Sequence, residues 1–216
     1  MPPHLPARHI YHLADEANWA SIQCLGLLSA SRLMDLAGMT AAERERMECA
    51  QRQASITLPT GAVLRDQVPM PPAALVRCLI GMTPAEWYAL VNSKVFFWFD
   101  PGRLDRQRRA GGASPRAVVM TVDAERLLAA HGARAALSAI NTGNARRKPA
   151  PRGRQSFVSY AAWLDSRWAS EAAALGTRPR AASHPPAELT VEEGVPDAMD
   201  FVLSLRHLDR NEPFTP

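Results

Sequence analysis

The pattern of apolar and polar positions near the start of the chain predicts a short strand followed by a helix. Residues 9–13 alternate as expected for a strand with one buried face. Asp15 is a suitable N-cap for a helix over residues 16–25, because its carboxylate can accept a hydrogen bond from a backbone N–H of the first turn. Gly26 suits the C-cap, since glycine tolerates the left-handed conformation. The sequence therefore predicts, within about 30 residues, a strand, a helix and a short segment that leads away from the helix after Gly26.

Further along, the pattern predicts short strands interleaved with short helices. Residues 94–99, bounded by Asp-Pro-Gly, and residues 117–122 are rich in apolar and β-branched side chains typical of strands. Four helices are predicted, which end near residues 53, 80, 92 and 131. The first and third begin with a Thr-x-x-Glu capping box, the second begins in a Pro-rich segment, and the fourth begins after an Asp N-cap. A basic loop over 143–156 and a Pro-rich connection over 178–186 precede a final strand over 188–191. This spacing favours an α+β fold over a doubly wound sheet.

Composition fits a single globular domain over residues 1–216. Hydrophobic residues make up 47% of the chain and charged residues 21%, which is enough to build a core at this length. No apolar run approaches the roughly 18 residues of a membrane-spanning helix, and the N-terminus lacks the apolar core of a signal peptide. Three scattered cysteines without a CxxC pair argue against a disulfide framework or a metal site, so we expect a cytoplasmic protein without bound metal. The net charge of +4 permits a polyanionic partner.

Four polar residues stand where a ligand could bind, and each also has an ordinary structural interpretation. His12 lies near the end of the first predicted strand, and Asn18 lies in the helix that follows. Arg65 has apolar neighbours on both sides, so its guanidinium needs an anionic partner, either a phosphate or an acidic side chain elsewhere. Glu188 opens the last predicted strand. It is either an exposed carboxylate or a group that bonds a sugar hydroxyl and stabilises positive charge on an anomeric carbon.

A cationic segment precedes a group of aromatic residues. Residues 145–155 carry five cations and no acid, among them Arg146, Arg147 and Arg152. Three aromatic residues follow, namely Tyr160, Trp163 and Trp168. The segment is either a solvated loop or an interface for single-stranded nucleic acid, where cations attract phosphates and aromatic rings stack on bases.

Taken in order, these segments resemble DarT-like ADP-ribosyltransferases over most of the chain. Ile10-Tyr-His-Leu13 and Ile22-Gln-Cys-Leu-Gly-Leu-Leu28 resemble the family's Tyr-His start and Gly-Leu-Leu exit. Leu64-Arg-Asp-Gln-Val-Pro-Met70 and Val95-Phe-Phe-Trp98 resemble the segments that follow. Ala187-Glu-Leu-Thr-Val-Glu-Glu-Gly-Val-Pro196 resembles the Ala-Glu-x-x-Val…Val-Pro ending, whose Glu is catalytic. Uncharacterised bacterial proteins with Phe-Phe-Trp, Asn-Thr/Ser-Gly and Arg-Gly elements, here including Asn141-Thr-Gly, are more similar still.

The resemblance implies an ADP-ribosyltransferase-like split β-sheet fold with short helices, which binds NAD in a cleft between two small sheets. It implies that His12 bonds the NAD ribose, that Asn18 fixes the nicotinamide side and that Arg65 neutralises the pyrophosphate. Glu188 would be catalytic, bonding the 2′-hydroxyl of the nicotinamide ribose. NAD would donate ADP-ribose, since the glycine-rich motifs of redox dinucleotide sites are absent from the sequence. The residues assigned to the acceptor are Asn141, Arg146, Arg147, Arg152 and Trp163.

One difference from transferases that modify protein arginine argues against arginine as the acceptor. Those enzymes carry Glu or Gln two residues before the catalytic Glu, and here that position is Pro186. The leading hypothesis is an ADP-ribosyltransferase that modifies a base in single-stranded DNA or another nucleic acid, as a toxin or defence effector. A toxin of this kind would have a macrodomain antitoxin as a partner. The alternatives are an NAD glycohydrolase of the same fold, with water as acceptor, and a catalytically inert nucleic-acid-binding domain.

Overall fold

The chain forms short helices and strands in an α+β arrangement, as predicted. The structure is a computed structural model that describes residue 5 and residues 7–110 and 116–216. Within these ranges the strands are β1 (His9–Asp15), β2 (Leu27–Leu28), β3 (Ile56–Thr57), β4 (Val63–Leu64), β5 (Lys94–Trp98), β6 (Arg116–Asp123), β7 (Ala135–Ser138), β8 (Val158–Ser159), β9 (Glu188–Glu192), β10 (Gly194–Val195) and β11 (Val202–Asp209). The α-helices are α1 (Trp19–Leu25), α2 (Ala30–Leu36), α3 (Ala41–Glu48), α4 (Pro72–Val76), α5 (Pro84–Asn92), α6 (Pro101–Ala110), α7 (Ala124–His131), α8 (Tyr160–Ser166) and α9 (Ala169–Leu175).

Seven strands form the main sheet, in the antiparallel order β11-β6-β1-β5-β9-β7-β8. The inner strand β6 is buried from its second residue to its last. Its alternate side chains enter different clusters, since Val118 and Met120 join the largest apolar cluster and Val119 packs with Leu104 of α6. A strand buried on both faces has a nearly continuous apolar sequence, which explains why residues 117–122 were recognised as a strand.

The main sheet opens between β1 and β5. β1 pairs with β6 along its whole length, but its described register with β5 contains the single pair Tyr11–Trp98. Beyond that pair, the His12 side chain bonds the Phe96 carbonyl through Nδ1 at 2.8 Å. A side chain therefore bridges two strands whose backbones diverge. The seven strands still form one hydrogen-bonded sheet, and the short pairing between β1 and β5 borders a cavity.

The predicted helix starts are confirmed in atomic detail. The Asp15 carboxylate accepts from Ala17 N–H, although the first turn, Glu16–Asn18, is a 3-10 helix that precedes α1. Thr40 and Thr83 form complete capping boxes at α3 and α5. Gly26 ends α1 at a φ of 70°, and a Cβ there would overlap the Pro196 carbonyl, so both conformation and space require glycine.

Several predicted boundaries are wrong. α3 ends at Glu48 rather than near residue 53, and α4 ends at Val76 rather than near residue 80. The strand at Glu188 is not the last, because β10 and β11 follow it. β11 lies at an edge of the main sheet and is mostly exposed, so its sequence lacks the apolar alternation by which strands are recognised.

No helix in the described ranges is both long enough and apolar enough to cross a membrane.

Candidate active site

A cavity of about 310 Å³ lies where the sheet opens between β1 and β5. Apolar side chains from β1, β2, β4 and β5 form much of its wall. Its polar lining residues include His12, Asn18, Arg52, Arg65, Gln67, Asn92, Gln107, Asn141 and Glu188. The structure therefore brings together the four residues singled out as ligand-binding candidates, although up to 176 positions separate them along the chain (188 − 12). A concave, mainly apolar site with a few convergent polar groups is typical of a small-molecule pocket.

Glu188 is a buried carboxylate at the cavity wall. It begins β9, between Trp98 of β5 and Ser138 of β7, and is 3% exposed. Its Oε2 accepts hydrogen bonds from Thr142 N–H at 3.1 Å and from Thr142 Oγ1 at 2.7 Å. In the described part of the chain, Oε1 makes no hydrogen bond. One oxygen is thus held by the protein and the other is free to contact a ligand.

The position of Thr142 depends in turn on a buried arginine. Arg152 is 2% exposed and donates through Nη1 to the Thr142 carbonyl at 3.1 Å. Its guanidinium also lies over the Trp87 ring, 5.8 Å from the ring centroid. Thr142 joins the cation to the carboxylate, because it accepts from Arg152 through its carbonyl and donates to Glu188 through its N–H and hydroxyl.

Burial raises the pKa of Glu188 to about 7, whereas the two Thr142 hydrogen bonds and the charges of Arg152 and Arg103 act to lower it. The carboxylate therefore changes charge near neutral pH. Carboxylates with such a pKa occur often in active sites, where burial and charge partners are arranged around a reacting group.

We expect Thr142→Val to move the pH dependence of any Glu188-dependent reaction to higher pH. Valine keeps the side-chain shape and the backbone donor but removes the hydroxyl that favours the charged carboxylate. A hydrogen bond to a charged group contributes about 1.5–3 kcal/mol, which corresponds to a shift of about one to two pH units. The pH–rate profile of the reaction measures this shift. Thr142→Ser is the matched control, since it retains the hydroxyl, and an unchanged profile for Thr142→Val would contradict the assignment.

His12 enters the cavity as a neutral imidazole. Burial is the main cause that lowers its pKa to about 4; the bond to the Phe96 carbonyl opposes this change and the charge of Arg65 adds to it. Because the Phe96 carbonyl can only accept, Nδ1 carries the proton and Nε2 of the neutral ring is an acceptor. His12 can therefore accept a hydrogen bond from a ligand hydroxyl.

Asn18 joins the first helical segment to β4. Its side-chain N–H donates to the Val63 carbonyl at 2.9 Å, and its side-chain oxygen accepts from Val63 N–H at 2.6 Å. This paired contact fixes the backbone two residues before Arg65. In the structure Asn18 thus lines the cavity and also holds one of its walls.

Arg65 is a half-buried cation that faces the cavity. Burial lowers the pKa of its guanidinium, while Asp66 and Asp15 raise it. Among the described residues, this guanidinium makes no hydrogen bond and no ion pair. An arginine with an unbound fork of donors is suited to an anion such as a phosphate.

A buried polar network behind Arg65 was missed by the sequence analysis. Arg52 donates to the carbonyls of Arg65 and Met47 and to Asn92 Oδ1, each at 3.0 Å, and Gln67 bonds both Arg52 N–H and Asn92. Burial lowers the pKa of Arg52 to about 10, so it stays charged at neutral pH. The network fixes the backbone that carries Arg65. Its members come from three separate segments, and no sequence motif connects them.

The residues assigned to the acceptor fall into two groups. Asn141 lines the cavity, and Arg146 and Arg147 are exposed on the loop that follows. Arg152 instead lies inside, bonded to Thr142. Trp163 is 2% exposed, with the Arg167 guanidinium 3.9 Å from its ring centroid. A buried ring has no open face for a base, so Trp163 and Arg152 take no part in the acceptor surface proposed below.

Comparisons with known proteins place the chain in a family. A family model described as "Family of unknown function (DUF7002)" matches residues 8–202, and the chain belongs to this family. No curated protein matches the chain.

Two solved structures are similar over most of the chain. "Thermus sp. 2.9 DarT in complex with ADP-ribosylated ssDNA" is 15% identical, with 91% of this chain and 80% of that chain covered and a TM-score of 0.41. "Thermus sp. 2.9 DarT in complex with NAD+" is also 15% identical, with coverages of 90% and 79% and a TM-score of 0.41. A likeness of this degree assigns neither an activity nor a ligand to the chain.

Proposed function

We propose that this protein is an NAD-dependent ADP-ribosyltransferase that modifies a base in single-stranded nucleic acid. The observation that carries the proposal is the cavity itself, which combines a buried carboxylate held at one oxygen with a cation that makes no hydrogen bond or ion pair among the described residues. These are the two charges that an ADP-ribose donor requires, one for a cationic sugar and one for a pyrophosphate. The ordered sequence resemblance to DarT-like enzymes gives independent support.

The proposed reaction breaks the bond between the ribose C1′ and the nicotinamide nitrogen. The electron pair leaves with nicotinamide, which departs as a neutral molecule, and positive charge develops on the ribose. An acceptor atom of the base supplies a lone pair to C1′ and then loses a proton to solvent. The ionised Glu188 carboxylate stabilises the positive charge and orients the ribose through Oε1, which makes no hydrogen bond within the described chain. Thr142 contributes by keeping Oε2 in place.

The remaining polar residues hold the donor. The fork of Arg65 binds the pyrophosphate, which is the most strongly anionic part of NAD. His12, with Nε2 free to accept, bonds a ribose hydroxyl. Asn18 supports the wall that carries Arg65 and lies beside the nicotinamide. Together these contacts orient the donor before the bond breaks.

The acceptor class is inferred from charge. Arg146, Arg147 and Lys148 are exposed in succession, shortly after Asn141 and Gly143 leave the cavity wall. Consecutive exposed cations attract the phosphate backbone of a nucleic acid more strongly than a mixed-charge protein surface. A single strand can present an unpaired base to a cavity, which a duplex cannot do without opening.

Mass spectrometry of the products tests this proposal. The protein is incubated with NAD alone, and with NAD plus single-stranded or duplex oligonucleotides of mixed sequence. We expect free nicotinamide and an oligonucleotide heavier by one ADP-ribose, with the single strand preferred. Free ADP-ribose without an adduct would indicate a glycohydrolase, and the absence of NAD turnover would contradict the enzymatic proposal.

A further inference from the structure

Helix α6 presents one polar face toward the cavity. Arg103, Arg106 and Gln107 are spaced at i, i+3 and i+4 and therefore share a face of the helix. Gln107 lines the cavity, which fixes the direction of that face. The opposite side anchors the helix, since Leu104 is fully buried and Arg108 donates to the carbonyls of Asp209, Arg210 and Glu212. α6 is thus a firmly held element, with Gln107 at the cavity and the exposed Arg103 and Arg106 on the same helix face.

The groups on this face have few partners within the protein. In the described ranges the Gln107 amide makes no hydrogen bond, and the exposed Arg106 makes no ion pair. Arg103 is 50% exposed and lies 3.6 Å from an Asp100 carboxylate that is itself 52% exposed. Arg109, off this face, instead pairs with Asp105 at 2.8 Å. The free hydrogen-bonding groups of α6 in the described ranges are therefore concentrated on the helix face that contains Gln107.

Gln107 and Glu188 line the same cavity, and the chain connects α6 closely to the strand beside Glu188. Trp98 ends β5 three residues before α6 begins and is paired with Glu188 in the sheet. A group bound against Gln107 would thus lie on the Glu188 side of the cavity.

We propose that α6 is the acceptor-binding element of the site, with Gln107 bonding the base and Arg103 and Arg106 binding its flanking phosphates. A side-chain amide offers a donor and an acceptor together, which matches the paired groups on the edge of a nucleobase. Exposed arginines one turn apart suit neighbouring phosphates of a strand that leads into the cavity. This inference rests on the proposed function and adds the residues that select its acceptor.

The test separates donor turnover from acceptor binding. Gln107→Ala and the double variant Arg103→Gln with Arg106→Gln are compared with the parent, and Arg109→Gln is the matched control for charge. Nicotinamide release is measured without oligonucleotide, adduct formation with a single strand, and oligonucleotide binding by fluorescence anisotropy over a series of salt concentrations. The binding measurement needs no turnover.

We expect the KM for the oligonucleotide to rise about 10-fold or more in both variants, as for loss of one or two charged or paired hydrogen bonds, with the KM for NAD unchanged. The salt dependence of binding should flatten in the double variant by about 1.4 in log–log slope, at about 0.7 for each lost phosphate contact on a single strand. Arg109→Gln should change neither the KM for the oligonucleotide nor the salt dependence of oligonucleotide binding.

Three results would overturn the inference, each in a different way. A higher KM for NAD without oligonucleotide would place α6 in the donor site. Normal adduct formation and an unchanged salt slope in the variants would remove α6 from the acceptor site but leave the proposed function intact. A parent protein that releases nicotinamide but neither binds nor modifies oligonucleotides would remove the acceptor class and the role of α6 together.

Discussion

Glu188→Gln should lower the rate of nicotinamide release from NAD by about 100-fold or more, the usual scale for loss of a main electrostatic stabiliser. Glutamine has nearly the same shape and can still accept the Thr142 hydrogen bonds through its amide oxygen. It cannot carry the negative charge that opposes the developing charge on the ribose. The loss should therefore appear in kcat, measured as nicotinamide released at saturating NAD, while the affinity for NAD changes little.

The controls for this variant use the same strand. Glu192→Gln changes the exposed glutamate at the other end of β9, where it pairs with Lys94, and should leave turnover unchanged. Because burial raises the pKa of Glu188 from 4.5 to about 7, the parent loses stability as pH rises through that interval, and Glu188→Gln lacks this loss. At pH 8 the variant should thus be at least as stable as the parent. Normal turnover in a folded Glu188→Gln protein would remove Glu188 from the catalytic role.

Arg65→Ala should raise the Kd for NAD by roughly 10- to 150-fold, because a hydrogen bond to a charged group is worth about 1.5–3 kcal/mol. The guanidinium faces the cavity and makes no hydrogen bond or ion pair in the described chain, so its removal breaks no such contact. The effect should therefore fall on ligand binding more than on stability. Isothermal titration calorimetry with NAD measures the change directly.

Two further substitutions sharpen the result for Arg65. Arg65→Lys keeps the charge but loses the fork of donors, so it should bind NAD with intermediate affinity. Arg206→Ala removes an exposed arginine from edge strand β11, where it faces Glu212, and should leave NAD binding unchanged. Equal affinities for Arg65→Ala and the parent would show that Arg65 serves only to support the cavity wall.

Local signals in the sequence predicted local structure well. Asp15, Thr40 and Thr83 were recognised as helix caps because a capping side chain bonds the backbone within its own turn. The Asp100-Pro101 pair shows how such a signal can be misinterpreted. It was taken only as the end of a strand, yet Asp100 caps α6 by accepting from Gly102 N–H and Arg103 N–H, with Pro101 at the first helical position.

The candidate site was predicted in part, and the division has a physical reason. His12, Asn18, Arg65 and Glu188 lie in segments with a recognisable order, and the structure brings them to one cavity. Thr142, Arg52 and Gln107 gain their importance from contacts between distant segments, which single residues do not reveal. The same limit applies to the basic loop. Arg152 is close in sequence to exposed cations, but it is buried and bonds Thr142, which in turn bonds Glu188.

The central claim is that the cavity cleaves NAD with Glu188 in its ionised form. The pH–rate profile of nicotinamide release by the parent protein, measured at subsaturating NAD between pH 5 and about pH 9, tests this claim most directly. The structure predicts that kcat/KM rises about tenfold per pH unit in the acidic range and levels off above about pH 7, where Glu188 loses its proton. Nicotinamide release no faster than in buffer alone at every pH would contradict the claim.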